Sequence, residues 1–160
     1  MLLTDHFSTF TTAKLIESEQ AQDLKRALID LSSPVRHPGP ITIKTDSAPG
    51  FNSLVKQRDS QLTDLQITIK PGDELNKNSN AVVDKACQEI ELEIRKILPE
   101  GQKLDDTILA KAIISLNTKL HRQAKVSAYE IHTAGSLDTG ENLDLDDHKL
   151  RKQQLESRSN

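Results

Sequence analysis

Ile41, Ile43 and Thr45 alternate with Thr42 and Lys44. A two-residue period of this kind predicts a short strand with one buried face. Upstream, "MLLTDHFSTFTTAKLI" predicts two short strands, one opened by Leu2 and Leu3 and one over Phe10 to Ile16, with a tight bend near His6. Ala21, Leu24, Ala27, Leu28 and Leu31 then recur at three- and four-residue steps, the signature of an amphipathic helix. Ser18 is its candidate N-cap. "SSPVRHPGP" stops the helix with prolines and a glycine. After the strand at 41–45, "FNSLVKQRDS" predicts one or two helical turns, "LTDLQITIK" a further alternating segment, and "PGDELNKNSN" a polar loop. A long helix begins near Asn80, with Val83, Cys87, Ile90, Ile94 and Ile97 as its apolar stripe and Val82 and Ala86 behind it. Asp105 to His121 predicts another, with Ile108, Leu109, Ala112, Ile113, Leu116 and Leu120 inward. "SAYE" at 127–130 has the Ser-x-x-Glu spacing of a capping box. Beyond about residue 137 the apolar pattern fades. The order is that of an α/β protein whose sheet opens on consecutive strands.

Composition narrows the picture. The chain has 160 residues, 28% of them charged, and aromatics are confined to Phe7, Phe10, Phe51 and Tyr129, so the core must be aliphatic. No apolar run approaches the roughly 20 residues of a spanning helix, and no membrane partner is expected. Cys87 is the sole cysteine, which excludes an intrachain disulfide and points to a reducing, intracellular setting. His6, His37, His121, His132 and His148 are scattered without zinc-finger spacing. A formal charge of −3 is a poor footprint for tight nucleic-acid binding, which rests on phosphate neutralisation.

The candidate chemistry starts at Asp46, which ends the strand just before Ser-Ala-Pro-Gly. An Asp starts turns well, because its side chain bonds nearby backbone N–H groups. The other reading is a metal ligand, since α/β folds place ligands at the carboxyl ends of strands.

"LLTDHFSTFTTAKLIESEQAQDLKRALIDL", "ITIKTDSAPGF", "NKNSNAVVDKACQEIELEI" and "AIISLNTKLHRQAKVSAYEI", in this order, resemble the catalytic core of retroelement integrases, and most of all that of metazoan LTR retrotransposons. The resemblance covers residues 1–134. It implies a ribonuclease H-like mixed sheet flanked by helices, with residues 135–160 as a polar tail. It further implies DNA integration by polynucleotidyl transfer on Mg²⁺ or Mn²⁺, held by two Asp and one Glu. Two such ions, roughly 3.5–4 Å apart, serve the attacking and leaving oxygens of an in-line displacement.

Asp46 matches the second acid of that family, and Asp84 in "AVVDK", with thirty-seven residues between the two, matches the third. There the family has Glu, one methylene longer. Without the resemblance, Asp84 reads as a first-turn acid favoured by the helix dipole. Asp5 falls on the family's second strand and is not expected to be catalytic. The first acid belongs to a central strand that this chain lacks. The resemblance also makes Asn76, Lys77, Asn78, Asn80, Lys85 and Gln88 candidate DNA contacts, against the plainer reading of a solvated loop and helix face. Weak, non-specific DNA binding and a possible homo-oligomer are the expected partners, with a nuclear location if the chain functions. Two outcomes stay open: an integrase catalytic domain, or an inactive or domesticated remnant that at most binds DNA or protein.

Overall fold

In the computed structural model, residues 1–36, 38–72, 80–120 and 125–134 are described. They divide between two units, one of Met1–Leu3 with Thr12–Cys87 and one of Thr4–Thr11 with the residues from 88 onward. The tail expected at 135–160 lies outside the described residues.

The chain opens with β1 (Leu2–Thr4) and β2 (Thr11–Ala13). Met1 and Lys14 exchange N–H···O bonds of 2.7 and 2.9 Å, and Asp5 N–H reaches Phe10 O at 2.8 Å, which fixes an antiparallel hairpin. Thr4 and Thr11 face each other across it, their hydroxyls 3.1 Å apart. The second strand is shorter than the expected Phe10–Ile16.

In the first unit, α1 (Ala21–Ser32) buries Leu24, Ala27, Leu28 and Leu31, as the periodicity predicts. Its N-cap position is Gln20, not Ser18. Ser18 instead gives its hydroxyl to Asp23 and accepts from Gln20 N–H at 3.3 Å, so it braces the first turn from outside. β3 (Ile41–Thr45) stands where the alternation predicts it. The stretch after it forms two helices, α2 (Pro49–Gln57) and α3 (Ser60–Asp64). The expected alternating segment therefore loses its first residues, and β4 runs only from Ile67 to Pro71. The reason is Asp59. Its Oδ1 accepts the N–H groups of Gln61 and Leu62 at 3.0 and 3.2 Å, an N-cap that makes Leu62 helical.

β3 and β4 pair in parallel, Ile41 beside Ile67 through Thr45 beside Pro71. Ile43 and Ile67 on the inner face join Leu24, Leu28, Phe51, Leu54 and Leu62 in one aliphatic cluster. The close seat of α2 against the chain at α1 explains Gly50. A Cβ there would lie 2.4 Å from Glu19 O and 2.5 Å from Leu24 Cδ1, so no side chain fits without moving backbone. The Lys25 ammonium meets Asp59 Oδ2 at 2.9 Å with both side chains largely shielded, tying α1 to the start of α3.

The second unit takes most of α4 (Ala81–Ile97), all of α5 (Asp106–Thr118) and α6 (Ala128–Thr133). On α4 the buried positions are Ala86, Ile90 and Glu93, whereas Ile97 is exposed. The stripe is rotated from the expected one because a buried carboxylate takes part in it. Glu93 Oε1 accepts from Lys96 at 2.8 Å and Oε2 from the Ser115 hydroxyl at 2.9 Å. The Lys96 bond, and after it the Ser115 bond, hold its carboxyl below the usual range. Leu109, Ala112 and Leu116 of α5 are buried as expected, but the helix ends before Leu120, which is exposed. Ser127 and Glu130 form the predicted capping box on α6.

The hairpin loop belongs to this unit. Asp5 Oδ2 accepts both the N–H and the hydroxyl of Ser8 at 2.7 Å, and Thr9 takes a left-handed φ of 61° to close the loop. Phe10 stacks on His132 of α6, ring centroids 4.7 Å apart. Asn117 spans the loop end: its Oδ1 accepts Thr11 N–H at 2.9 Å and its Nδ2 donates to Thr11 O at 2.8 Å.

Two predictions follow from these bonds. Replacing Asn117 by Leu leaves the buried N–H and C=O of Thr11 without partners, at a cost of roughly 1–3 kcal/mol for each group. The thermal midpoint should fall by about 2–4 °C per kcal/mol for a chain of this size. An unchanged melting curve would remove the amide clamp from the fold's essential contacts. The second concerns acid. The Lys25 hydrogen bond, with the backbone N–H groups of Leu62 and Gln61, holds Asp59 below its ordinary value against partial desolvation. The stability from that charge is therefore complete above the unfolded carboxyl range, about pH 4, and lost as pH falls through the lowered native value. Asp59→Asn keeps an N-cap. Its stability deficit against the unaltered chain should be full at neutral pH and close below about pH 4, read by thermal melts across pH.

Candidate functional site

Asp46 follows β3 directly and is exposed. Its placement comes from the strand before it and the turn after it. Thr45 is buried, its carbonyl accepts Gly72 N–H at 2.7 Å to extend the ladder with β4, and its hydroxyl donates to Asp46 O at 2.9 Å. Asp46 Oδ1 accepts Ala48 N–H at 3.2 Å, an Asx turn leading into Pro49 at the start of α2. The two roles weighed for this residue thus occupy different oxygens. Oδ1 shapes the turn, while Oδ2 makes no hydrogen bond or ion pair with a described residue.

Asp84 lies in the first turn of α4, exposed, its N–H bonded to Asn80 O at 2.9 Å. Its carboxylate makes no hydrogen bond or ion pair among the described residues. Ala86, Ile90 and Glu93 define the buried side of this helix, so at 3.6 residues per turn Asp84 and Gln88 lie on the opposite side and Lys85 on its flank. Lys85 and Gln88 are exposed, and Asn80 is half-buried. Asn76, Lys77 and Asn78 lie outside the described residues.

Asp46 and Asp84 belong to the same unit, each with at least one carboxylate oxygen open to solvent chemistry. These are hard oxygen donors of the kind Mg²⁺ or Mn²⁺ takes, with water and phosphate oxygens completing the shell. Among the described residues, no three His, Cys, Asp or Glu side chains gather as a metal-ligand group. The donor type of each therefore suits a divalent ion. Asp5 belongs to the other unit, and its carboxylate closes the hairpin loop on Ser8.

Sequence reasoning missed two features of functional interest. Glu93 is buried on α4, although its place three residues after Ile90 put it on the inner side. Lys44 and Lys70 are side by side across β3 and β4, a pairing signalled by the identical Ile-Thr-Ile-Lys that opens both strands.

No family model matches the sequence. Solved structures do match the fold. The magnesium complex of the HTLV-2 integrase catalytic core, in a trimeric form, superposes with a TM-score of 0.65 at 21% identity, over 82% of each chain. The catalytic core domain of BIV integrase gives 0.66 at 21% identity, over 82% of this chain and 83% of that one. A chain of the simian T-cell lymphotropic virus intasome, in complex with PP2A regulatory subunit B56 gamma, gives 0.72 at 18% identity, over 91% of this chain and 51% of its own length. Asp46 after β3, Asp84 at the start of α4 and the helices around them are thus set in the ribonuclease H-like α/β fold of retroviral integrase catalytic cores.

Proposed function

We propose that residues 1–134 are an integrase catalytic core-like domain of LTR-retrotransposon type, acting on DNA, with Asp46 and Asp84 as its metal carboxylates. The observation that carries this reading is the position of Asp46. It ends a strand of an integrase-core fold with one oxygen uncommitted, where a carboxylate can face a phosphate and its metal. The activity implied is metal-dependent polynucleotidyl transfer. Asp46 and Asp84 would hold a Mg²⁺ ion, which would supply Lewis-acid stabilisation of charge on a phosphoryl oxygen. The chain's own contribution is to hold the two carboxylates on a strand end and a helix start. Lys85 and Gln88 flank Asp84 as candidate contacts to the DNA backbone. Binding is weak, non-specific and salt-sensitive, because the chain is acidic overall and offers only local basic groups.

A second reading makes the chain an inactive remnant that binds DNA or a protein partner. Asp5 favours it. The acid that a triad would most readily borrow is already bonded twice to Ser8. Asp84, shorter than the Glu of the family, reaches less far from its helix.

The test is an oligonucleotide end-joining assay on the purified chain with Mg²⁺ and with Mn²⁺. A second form carries an added N-terminal strand with one Asp. The chain alone should give no joining above background, and the extended form should join DNA until Asp46→Asn returns it to background. Mn²⁺ binding, read from the loss of the free-ion paramagnetic signal, should disappear in Asp46→Asn. In Asp5→Asn it should persist, with a lowered melting temperature instead. Joining by the chain alone would overturn the inactive reading. An extended form that folds but neither binds Mn²⁺ nor joins DNA would overturn the enzymatic one.

A further inference from the structure

The outward face of the β3–β4 pair carries four exposed side chains in two rungs, Thr42 beside Thr68 and Lys44 beside Lys70. Neighbouring strands lie about 4.8 Å apart, so the two lysines rise from adjacent points on one surface. Like charges directly opposite each other destabilise a sheet. Lys14, Lys25 and Lys96 each have a carboxylate partner, whereas Lys44 and Lys70 form no ion pair or side-chain hydrogen bond with a described residue. Parallel strands are normally covered on both faces. Here one face meets the aliphatic cluster of Leu24, Leu28, Phe51 and Leu54, and the other is left in solvent.

Such a surface fits an anion. Two ammonium groups would be relieved of their repulsion by a phosphate lying between or along them. The threonine rung adds two hydroxyls that can donate to neighbouring phosphate oxygens. An apolar partner is excluded, since no outward-facing side chain on either strand is apolar. Lys44 also stands two residues before Asp46, so the rung and the candidate metal carboxylate occupy the same end of the same strand. We propose that the Lys44–Lys70 rung, with Thr42 and Thr68 behind it, is a contact for the sugar-phosphate backbone of DNA. It holds the strand beside Asp46 without reading its sequence. This deepens the DNA-binding reading above and rests on it.

The experiment measures anisotropy of a short labelled duplex with the full chain between about 50 and 200 mM salt, where phosphate contacts dominate the slope. The unaltered chain is compared with the double variant Lys44→Gln, Lys70→Gln and with Lys44→Glu. Each lost phosphate contact should lower the slope of log K against log salt by about 0.9, so the double variant should lose about 1.8. Lys44→Glu, which changes the formal charge by the same −2, should weaken binding comparably, yet melt no lower than the unaltered chain, because it gives Lys70 a partner. That melting curve separates lost binding from lost folding. If the unaltered chain binds duplex with a salt slope that the folded double variant keeps in full, the lysine rung is overturned and DNA binding stands. If the unaltered chain shows no salt-dependent binding, the DNA reading itself fails and takes the rung with it. Preference of the unaltered chain for polyglutamate over duplex, lost in the double variant, would also overturn the proposal by making the face a site for an acidic protein segment.

Discussion

The parallel pairing of β3 with β4 is the constraint on which the first unit rests. A parallel pair cannot be made by a simple turn, so the chain between the strands must cross over one face. Here α2 and α3 make that crossing and bring Phe51, Leu54 and Leu62 onto Ile43 and Ile67. The crossing fixes Asp46 as well. The strand must stop at Thr45 for Pro49 to open α2, and in between Asp46 turns the chain with its own carboxylate. With few aromatics in the chain, aliphatic residues and one phenylalanine do the filling, and the fit depends on the close approach that Gly50 permits.

Some of this was legible in the residues and some was not, for reasons that can be named. β3 and the α6 capping box were readable because each depends on neighbours within a few positions. The inner faces of α1 and α5 were readable because burial repeats with the helix period. α3 was not, since alternation and a short helix compete over the same residues and the decision fell to Asp59, whose capping geometry and bond to Lys25 are tertiary facts. The α4 stripe was misjudged because a carboxylate with two good partners can be buried where hydropathy expects an isoleucine. Asp46 was readable as a strand-end acid, but the division of labour between its two oxygens was not. The lysine rung depends on register, which no single strand contains.

The second unit shows how polar groups organise a small interior. Ser8, Thr11, Asn117 and Ser127 are all buried, and each has a stated hydrogen-bond partner. Buried polar groups left unsatisfied cost more than satisfied ones gain, so these contacts specify one arrangement more than they add stability. Asp5, half-buried, works alongside this set. Its carboxylate is structural, in keeping with a sequence position that was not expected to be catalytic.

Asn117 has a consequence beyond the monomer. Thr11 sits on the rim of a two-stranded hairpin, the kind of rim onto which another polypeptide can add itself as a further strand. The asparagine amide occupies both backbone groups that such an addition would use. At Thr11 one side chain from a helix thereby takes the place an added strand would need.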